Sequence, residues 1–182
     1  MQVFNPLLFS GFWYEVSSIK PNITPYVQQH CRNTKTLFIY DNSNPSKSIL
    51  HTQTACTDFD NTVKTTLEAE ITCNNISSSK SSMKSSTKCI ISYPSQPFVP
   101  QSEYKILNTD YSTYAIVATN TYNNKINSSS IIQIYARVPY PGAKFITTYK
   151  NTLYKLFNYN YKNNNEFYDT PQDLACIAIP PE

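Results

Sequence analysis

The sequence has little glycine and little charge. Only two of its 182 residues are glycine, and charged residues make up 15%. With so few glycines, the turns must be made mainly by Asn, Asp, Ser and Pro. The net charge of +3 is small and dispersed, so it gives no argument for nucleic-acid binding. No apolar run approaches the length of about 18 residues that a membrane span needs. Met1 is not followed by a charged and then an apolar region, so we expect no signal peptide in this chain.

Cysteine and histidine are also scarce. The five cysteines contain no CxxC pair, which argues against a zinc ribbon or a thioredoxin-like site. His30 and His51 are the only histidines and do not stand at ligand spacing, so the sequence predicts no metal site. Glycosylation sequons begin at Asn22, Asn75 and Asn127. Together with the widely spaced cysteines they favour a secreted or lumenal, oxidising location.

Strand-forming residues dominate what is present. Tyrosine alone occupies 15 positions, and Tyr, Thr, Ile and Val favour strands. Short apolar or alternating runs between turn residues predict eight strands, at about 11–19, 37–40, 48–56, 63–72, 89–93, 103–107, 113–119 and 131–138. A further short strand is expected around 167–168. We therefore expect a single all-β domain over 1–182, with an eight-stranded antiparallel up-and-down barrel at about 11–138.

After Pro139–Gly142 the period of the apolar residues changes. Side chains now recur at helical spacing, at Phe145, Tyr149, Leu153, Leu156 and Phe157. This pattern predicts one amphipathic C-terminal helix at about 143–159, packed outside the barrel and followed by a tail at 160–182.

The stretch Gly11-Phe12-Trp13 opens the first strand and contains the only Trp of the chain. A lone indole in a β-rich chain needs a large buried site and a partner for its N–H group. Glycine lets the backbone bend or approach closely where the strand begins. Our hypothesis is that Trp13 plugs one end of a closed sheet, with the segment Phe4–Phe9 lying beneath it as a lid.

Three blocks in this order resemble the signature of the lipocalins. They are Gly11–Val16, the turn Asn108-Thr109-Asp110-Tyr111 with the strand after it, and Ile134–Arg137. The resemblance implies a barrel that is open at the end bearing the loop between strands one and two, with Arg137 lying over Trp13 at the closed end. Within the family, the frame is similar to apolipoprotein D and the insect bilin-binding lipocalins. The Asn-, Lys- and Tyr-rich composition also looks like that of the lipocalins of malaria parasites.

The same resemblance implies a disulfide between Cys31 and Cys176. The family branch has a second bridge, but Ala118-Thr119-Asn120 stands where its cysteine is expected. Instead Cys73 and Cys89 flank a Ser- and Lys-rich loop, at positions that can face each other across a hairpin. Cys56 is then left over.

Alternation together with the family register predicts which side chains point into the barrel. The predicted ligand-binding residues are Phe38, Leu67, Ala69, Tyr104, Ile106, Val117, Thr119 and Tyr135. These residues either line a cavity or simply fill the core. Ala69, Ala115 and Thr119 are small for a filled interior, which favours a cavity.

The expected function is binding and transport or sequestration of a small hydrophobic molecule. The resemblance suggests a tetrapyrrole (haem or bilin), a fatty acid or a sterol-like lipid, with no required cofactor and no enzymatic activity. If the ligand is haem, its axial ligand is expected to be His30, His51 or a Tyr. Two alternatives stay open: a thiol-dependent isomerase using Cys56, for which no base stands at motif spacing, and a filled barrel that acts through its surface.

Two surface features bear on partners other than the ligand. The Tyr-rich surface makes a homo-oligomer an expectation. The Lys80–Lys88 loop either touches anionic lipid or a partner, or is merely a solvated hairpin tip.

Overall fold

The fold is known from a computed structural model that describes residues 4–19, 32–44, 47–57, 64–74, 88–123, 126–157 and 167–172. The helices among these residues are α1 (Pro6–Phe9) and α2 (Ala143–Phe157). The strands are β1 (Gly11–Ile19), β2 (Arg32–Asp41), β3 (Ser48–Thr57), β4 (Lys64–Asn74), β5 (Lys88–Ser92), β6 (Ser102–Thr109), β7 (Tyr114–Asn123), β8 (Ile126–Ala136) and β9 (Tyr168–Asp169).

The strands form one antiparallel sheet that closes on itself. Each of β2 to β7 pairs with the next strand along the chain, β8 pairs with β1, and β1 pairs with β2 and with β9. The predicted eight-stranded up-and-down barrel with one C-terminal helix is therefore confirmed. Closure leaves no long unpaired edge among the strands described, which is how a barrel avoids edge-to-edge association.

Two strands begin earlier than their apolar runs suggest. β2 starts at Arg32 and β8 at Ile126, whereas the sequence predicts starts at Leu37 and Ile131. The added segments, 32–36 and 126–130, are rich in Asn, Thr and Ser. Backbone pairing with neighbouring strands holds them in the sheet. Because this pairing does not depend on apolar side chains, the sequence of these segments shows no apolar alternation.

β1 changes its partner halfway along its length. Residues Gly11 to Tyr14 pair with β2, and Ser17 and Ser18 pair with β9 on that side. A bulge between Glu15 and Ser17 in the pairing with β8 accompanies the change. The C-terminal segment thus supplies hydrogen-bond partners to the part of β1 for which no pairing with β2 is present.

Apolar side chains form two separate clusters. One lies inside the barrel and includes Phe9, Trp13, Phe38, Tyr104 and Tyr135. The other lies outside, where α2 packs on β1, β7 and β8; its members include Val16, Ile19, Ile116, Ile132, Ile134 and Leu153. Strands in this part of the wall are covered on both faces, which explains why β7 reads as a continuous apolar run. Neither described helix is long and apolar enough to cross a membrane.

The closed end of the barrel is built around Trp13, which is fully buried. Its indole N–H donates to the Phe9 carbonyl at 2.8 Å, and the Phe9 ring stacks on the indole with 5.2 Å between centroids. The Arg137 guanidinium lies over the Trp13 ring, 3.7 Å from its centroid. The predicted plug is confirmed, and the segment beneath it contains the short helix α1.

The Arg137 guanidinium is held entirely by backbone carbonyls. Its nitrogens donate to the carbonyls of Leu8, Ser10, Phe12 and Tyr111 at 2.9–3.1 Å. Gly11 has φ +98°, and a Cβ there would meet Arg137 Nη1 at 3.2 Å. Glycine is required at position 11 both for this backbone conformation and for the approach of the guanidinium.

The turn between β6 and β7 delivers the Tyr111 carbonyl to Arg137. Asp110 Oδ1 accepts hydrogen bonds from the backbone N–H groups of Ser112, Thr113 and Tyr114 at 2.8–3.0 Å. Desolvation acts to raise the pKa of Asp110, but the side-chain hydrogen bond from Thr113 and these backbone bonds outweigh it, so the pKa is lowered. Tyr111 adopts a φ of +64°, which is uncommon for a residue with a side chain and shows how firmly the turn is held.

The cysteines only partly match their predicted pairing. Cys73 and Cys89 face each other across β4 and β5 and form a disulfide, as expected. Cys56 was expected to be left over, but it is disulfide-bonded. Cys31 and Cys176, whose pairing the resemblance implies, both lie outside the described residues.

Replacing Arg137 with Ala is expected to lower the free energy of unfolding by about 3 kcal/mol, because it removes a cation–π contact and several charge-assisted hydrogen bonds. Arg137→Lys keeps the charge but loses the planar guanidinium, so its free energy of unfolding should lie between those of the parent and Arg137→Ala. Urea unfolding of the three proteins measures the effect. Equal stability of Arg137→Ala and the parent would contradict the role assigned to the guanidinium.

Removing the Cys73–Cys89 bridge is expected to cost about 3 kcal/mol, the chain-entropy value for a loop of this size. The two cysteines are 16 residues apart. The pairs C73A/C89A and C73V/C89V should show a similar loss in urea unfolding, since they differ in packing volume and share the missing cross-link. A loss in the Ala pair alone would assign the effect to packing.

Candidate ligand cavity

The interior above the Trp13 plug contains a cavity. It is lined by side chains from β2 to β8 and from the segment between β5 and β6; these are Thr36, Phe38, Thr52, Thr54, Leu67, Ala69, Ile71, Ile91, Tyr93, Val99, Ser102, Tyr104, Thr119, Ile131, Gln133 and Tyr135. Period-two alternation places these residues on the inner face, while neighbours such as His51 and Gln53 are exposed on the outer face.

Most of the predicted ligand-binding residues lie on this wall. Phe38, Leu67, Ala69, Tyr104, Thr119 and Tyr135 line the cavity. Ile106 and Val117 belong to the interior cluster but not to the lining. Trp13 and Arg137 lie at the closed end and do not line the cavity either, as expected for structural residues.

The prediction missed much of the polar part of the wall. Thr36, Thr52 and Thr54 face inward, and alternation with the outward residues of β2 and β3 was the signal that could have found them. Tyr93 directly follows β5 and continues the alternation of Cys89 and Ile91, so the same signal could have found it. Val99 lies in the segment between β5 and β6, where alternation no longer applies. Backbone hydrogen bonds from Gln96 to Tyr93 and from Val99 to Gln96 shape that segment, and both side chains are buried.

The cavity is small, with a volume of about 50 Å³. A volume of about 10–15 Å³ on this scale holds one water molecule, so the space corresponds to a few waters. The sequence left a cavity and a filled core open as alternatives. The barrel has a cavity, and the aromatic rings of Phe38, Tyr93, Tyr104 and Tyr135 occupy much of the space around it.

Three of these rings carry buried phenol groups. Desolvation raises the pKa of Tyr93 to about 12 and also raises the pKa values of Tyr104 and Tyr135. Tyr104 and Tyr93 also raise the pKa of Tyr135 by charge repulsion, which places the three hydroxyls in one neighbourhood. At neutral pH all three are protonated and can donate a hydrogen bond.

The hydroxyls differ in whether the protein satisfies them. Tyr135 hydrogen-bonds to Thr36, which acts to lower its pKa, and Thr36 Oγ1 lies 2.9 Å from Thr54 Oγ1. Thr52 Oγ1 donates to the Ala69 carbonyl. The Tyr104 hydroxyl is buried and makes no hydrogen bond within the described part of the chain.

No Lys, Arg, His, Asp or Glu is among the described residues that line the cavity. The nearest buried carboxylate with a described contact to the wall is that of Glu15, which is fully buried. Gln133 donates to its Oε2 at 2.6 Å, and Thr170 donates to its Oε1 at 3.0 Å. The cavity thus presents apolar groups and neutral hydrogen-bonding groups.

The residues behind the alternative functions are placed differently. His51 is exposed on β3, with its Nε2 3.5 Å from Asp41 Oδ2, so it faces away from the cavity. His30, the other predicted haem ligand, lies outside the described residues. No cluster of three His, Cys, Asp or Glu that could hold a metal is found among the described residues. Cys56 is disulfide-bonded and therefore has no thiol to act as nucleophile.

The Tyr93 phenol is expected to make stability depend on pH in alkaline solution. Its pKa rises from 10 to about 12 on folding, so the unfolded chain loses the proton first and stability falls as the pH rises through this window. One such group contributes about 1.4 kcal/mol per pH unit. Between pH 10 and 11, the free energy of unfolding measured in urea should fall less steeply for Tyr93→Phe than for the parent. Tyr154→Phe, a substitution on the exposed face of α2, serves as the control and should follow the parent. Equal slopes in all three proteins would contradict this.

Comparison with known proteins supports the same fold. No family model matches the chain. The chain is 29% identical over 178 residues to the chloroplastic lipocalin of Arabidopsis thaliana, an alignment that covers 93% of this chain and 47% of that protein. The chain therefore spans about half the length of this curated relative.

Solved structures resemble the whole barrel. Lobster apocrustacyanin A1 matches with a TM-score of 0.63 at 17% identity, covering 94% of this chain and 81% of that one. Insecticyanin from the tobacco hornworm Manduca sexta matches with a TM-score of 0.62 at 14% identity, covering 95% and 83%. The narrower resemblance to lipocalins of malaria parasites gains no support from these proteins. The chain has the lipocalin fold, and its predicted resemblance to the lipocalin family is confirmed.

Proposed function

We propose that this protein binds a small hydrophobic molecule inside the barrel and carries or sequesters it. The observation that supports the proposal most directly is the cavity itself, which is lined by apolar side chains and a few neutral hydroxyls. Burial of apolar ligand surface supplies the driving force, and the hydroxyls supply orientation.

A binding role accounts for the cavity better than catalysis does. A nucleophile or a general base needs a lowered or matched pKa. The phenols here have raised pKa values, and Cys56 is in a disulfide. The groups on the described wall are therefore suited to hold a ligand and not to exchange protons with it.

The size of the cavity bears on the kind of ligand. A space of about 50 Å³ must grow before a drug-sized molecule enters, since ordinary ligand sites measure about 300–1,000 Å³. Entry of a slender, flexible lipid requires fewer of the aromatic side chains around the cavity to move than entry of a flat tetrapyrrole does. A lipid with an alkyl body is accordingly our first candidate. A bilin, which needs no axial ligand, ranks above haem because His51 faces outward.

The disulfides support a location in an oxidising compartment. Cys73 and Cys89 are bonded, as is Cys56, and such bonds persist in secreted or lumenal proteins. We propose such a compartment for this chain. The curated relative is named as a chloroplast protein, so the compartment is best established by localising the native protein.

Filling the cavity tests the proposal. Ala69 lies on the wall and is 6% exposed, so Ala69→Phe puts a ring into the cavity. Glu68→Phe adds the same ring to the outer face of the same strand. In a fluorescence titration with Nile red, we expect Ala69→Phe to weaken binding at least about tenfold, because overpacking excludes the probe, and Glu68→Phe to bind within about twofold of the parent.

Circular dichroism and the melting temperature establish that both variants are folded. Saturable binding that survives Ala69→Phe in a folded protein would place the probe outside the barrel. Absence of saturable binding to the parent protein would favour the filled-barrel alternative.

A further inference from the structure

We propose that the interior selects ligands that carry an uncharged oxygen acceptor, such as a ketone carbonyl, and that the Tyr104 hydroxyl donates a hydrogen bond to it. This inference rests on the proposed function, since it assumes that a ligand enters the barrel. It adds the chemical class of that ligand, an apolar body with one neutral acceptor at its buried end.

The Tyr104 hydroxyl is a buried polar group on the cavity wall without a hydrogen-bond partner in the described chain. Tyr104 itself is 4% exposed. Elsewhere the hydroxyls of Tyr111 and Tyr114 bond to the Asn5 backbone N–H and the Asn108 amide, and that of Tyr135 bonds to Thr36. A buried polar group without a partner is rare in folded proteins and calls for an explanation.

The position of Tyr104 explains why a ligand can reach it. In the sheet it lies between Cys89 of β5 and Thr119 of β7. Thr119 and Ala69 are small, and both line the cavity with it. The phenol therefore borders the empty part of the interior, where a ligand atom can come within hydrogen-bond distance.

The surroundings determine the charge of the acceptor. A protonated phenol donates to oxygen, and burial keeps Tyr104 protonated by raising its pKa. Among the described lining residues there is no cation to compensate a carboxylate, so an ionised ligand end would be buried without a counter-charge. A hydrocarbon would leave the phenol unsatisfied. A neutral carbonyl meets both requirements.

A set of three ligands with equal chain length tests this inference. 2-Undecanone, undecane and undecanoic acid are each titrated at pH 8 against protein loaded with Nile red. The proteins are the parent, Tyr104→Phe and, as a matched control, Tyr135→Phe, whose hydroxyl already has a partner in Thr36. The melting temperature of ligand-free Tyr104→Phe should equal or exceed that of the parent, because the substitution removes no hydrogen bond.

In the parent protein we expect the ketone to displace Nile red about tenfold more tightly than the alkane, the effect of one hydrogen bond to a buried donor. This advantage should shrink to within about twofold in Tyr104→Phe and persist in Tyr135→Phe. The acid should bind more weakly than the ketone.

Three results would overturn the inference. They are a ketone advantage that survives Tyr104→Phe, one that disappears equally in Tyr135→Phe, and an acid that binds more tightly than the ketone. In each of these cases the probe is still displaced from the barrel, so the proposed function stands. If Nile red shows no saturable binding sensitive to Ala69→Phe, the proposed function fails and this inference fails with it.

Discussion

The fold depends on one guanidinium that is satisfied without a carboxylate. Arg137, at the end of β8, donates to carbonyls of α1, of the start of β1 and of the turn before β7, and covers the Trp13 ring at 3.7 Å. Charge-assisted hydrogen bonds of this kind are stronger than neutral ones. Segments that are far apart in sequence thereby meet at one point, and the barrel is closed there.

Closing one end by packing determines where a ligand can lie. Phe9, Trp13 and Phe38 fill the base of the barrel with aromatic contacts at about 5 Å. Unfilled volume is therefore left above this base, where the small side chains of Ala69 and Thr119 line the cavity. The site is a consequence of how side-chain sizes are distributed along the strands, since the backbone alone would give a barrel of the same width throughout.

The sequence predicted best the strands, which follow local patterns, and the closed end of the barrel, where many contacts meet. Gly11 and Trp13 were located because a lone indole needs a buried site with a partner for its N–H group and a glycine permits the close approach where the strand begins. Arg137 was located through the resemblance of three sequence blocks to the lipocalin signature. Cys56 was misjudged because a disulfide depends on which strands approach, and five cysteines permit many pairings. Val99 was missed because it lies outside a regular strand, where alternation says nothing about direction, whereas Tyr93 continues the alternation of the strand predicted at 89–93 and could have been found. Small polar residues such as Thr36 give no apolar signal, although the inner face of the barrel needs them.

The cavity combines polarity with the absence of charge on its described wall, and the arrangement around Glu15 shows how this is achieved. That carboxylate is fully buried beside the interior, yet the Gln133 amide stands between it and the cavity and donates to it at 2.6 Å. Thr170, from the segment that follows β9, donates to the other oxygen. The Gln133 side chain thus contacts both the carboxylate and the cavity, and the groups that Gln133 and Thr170 present to Glu15 are neutral. The hydroxyls of the wall are then the groups that can discriminate between ligands. In a low-dielectric interior this discrimination is strong, because a ligand without an acceptor leaves the buried hydroxyl without a hydrogen-bond partner.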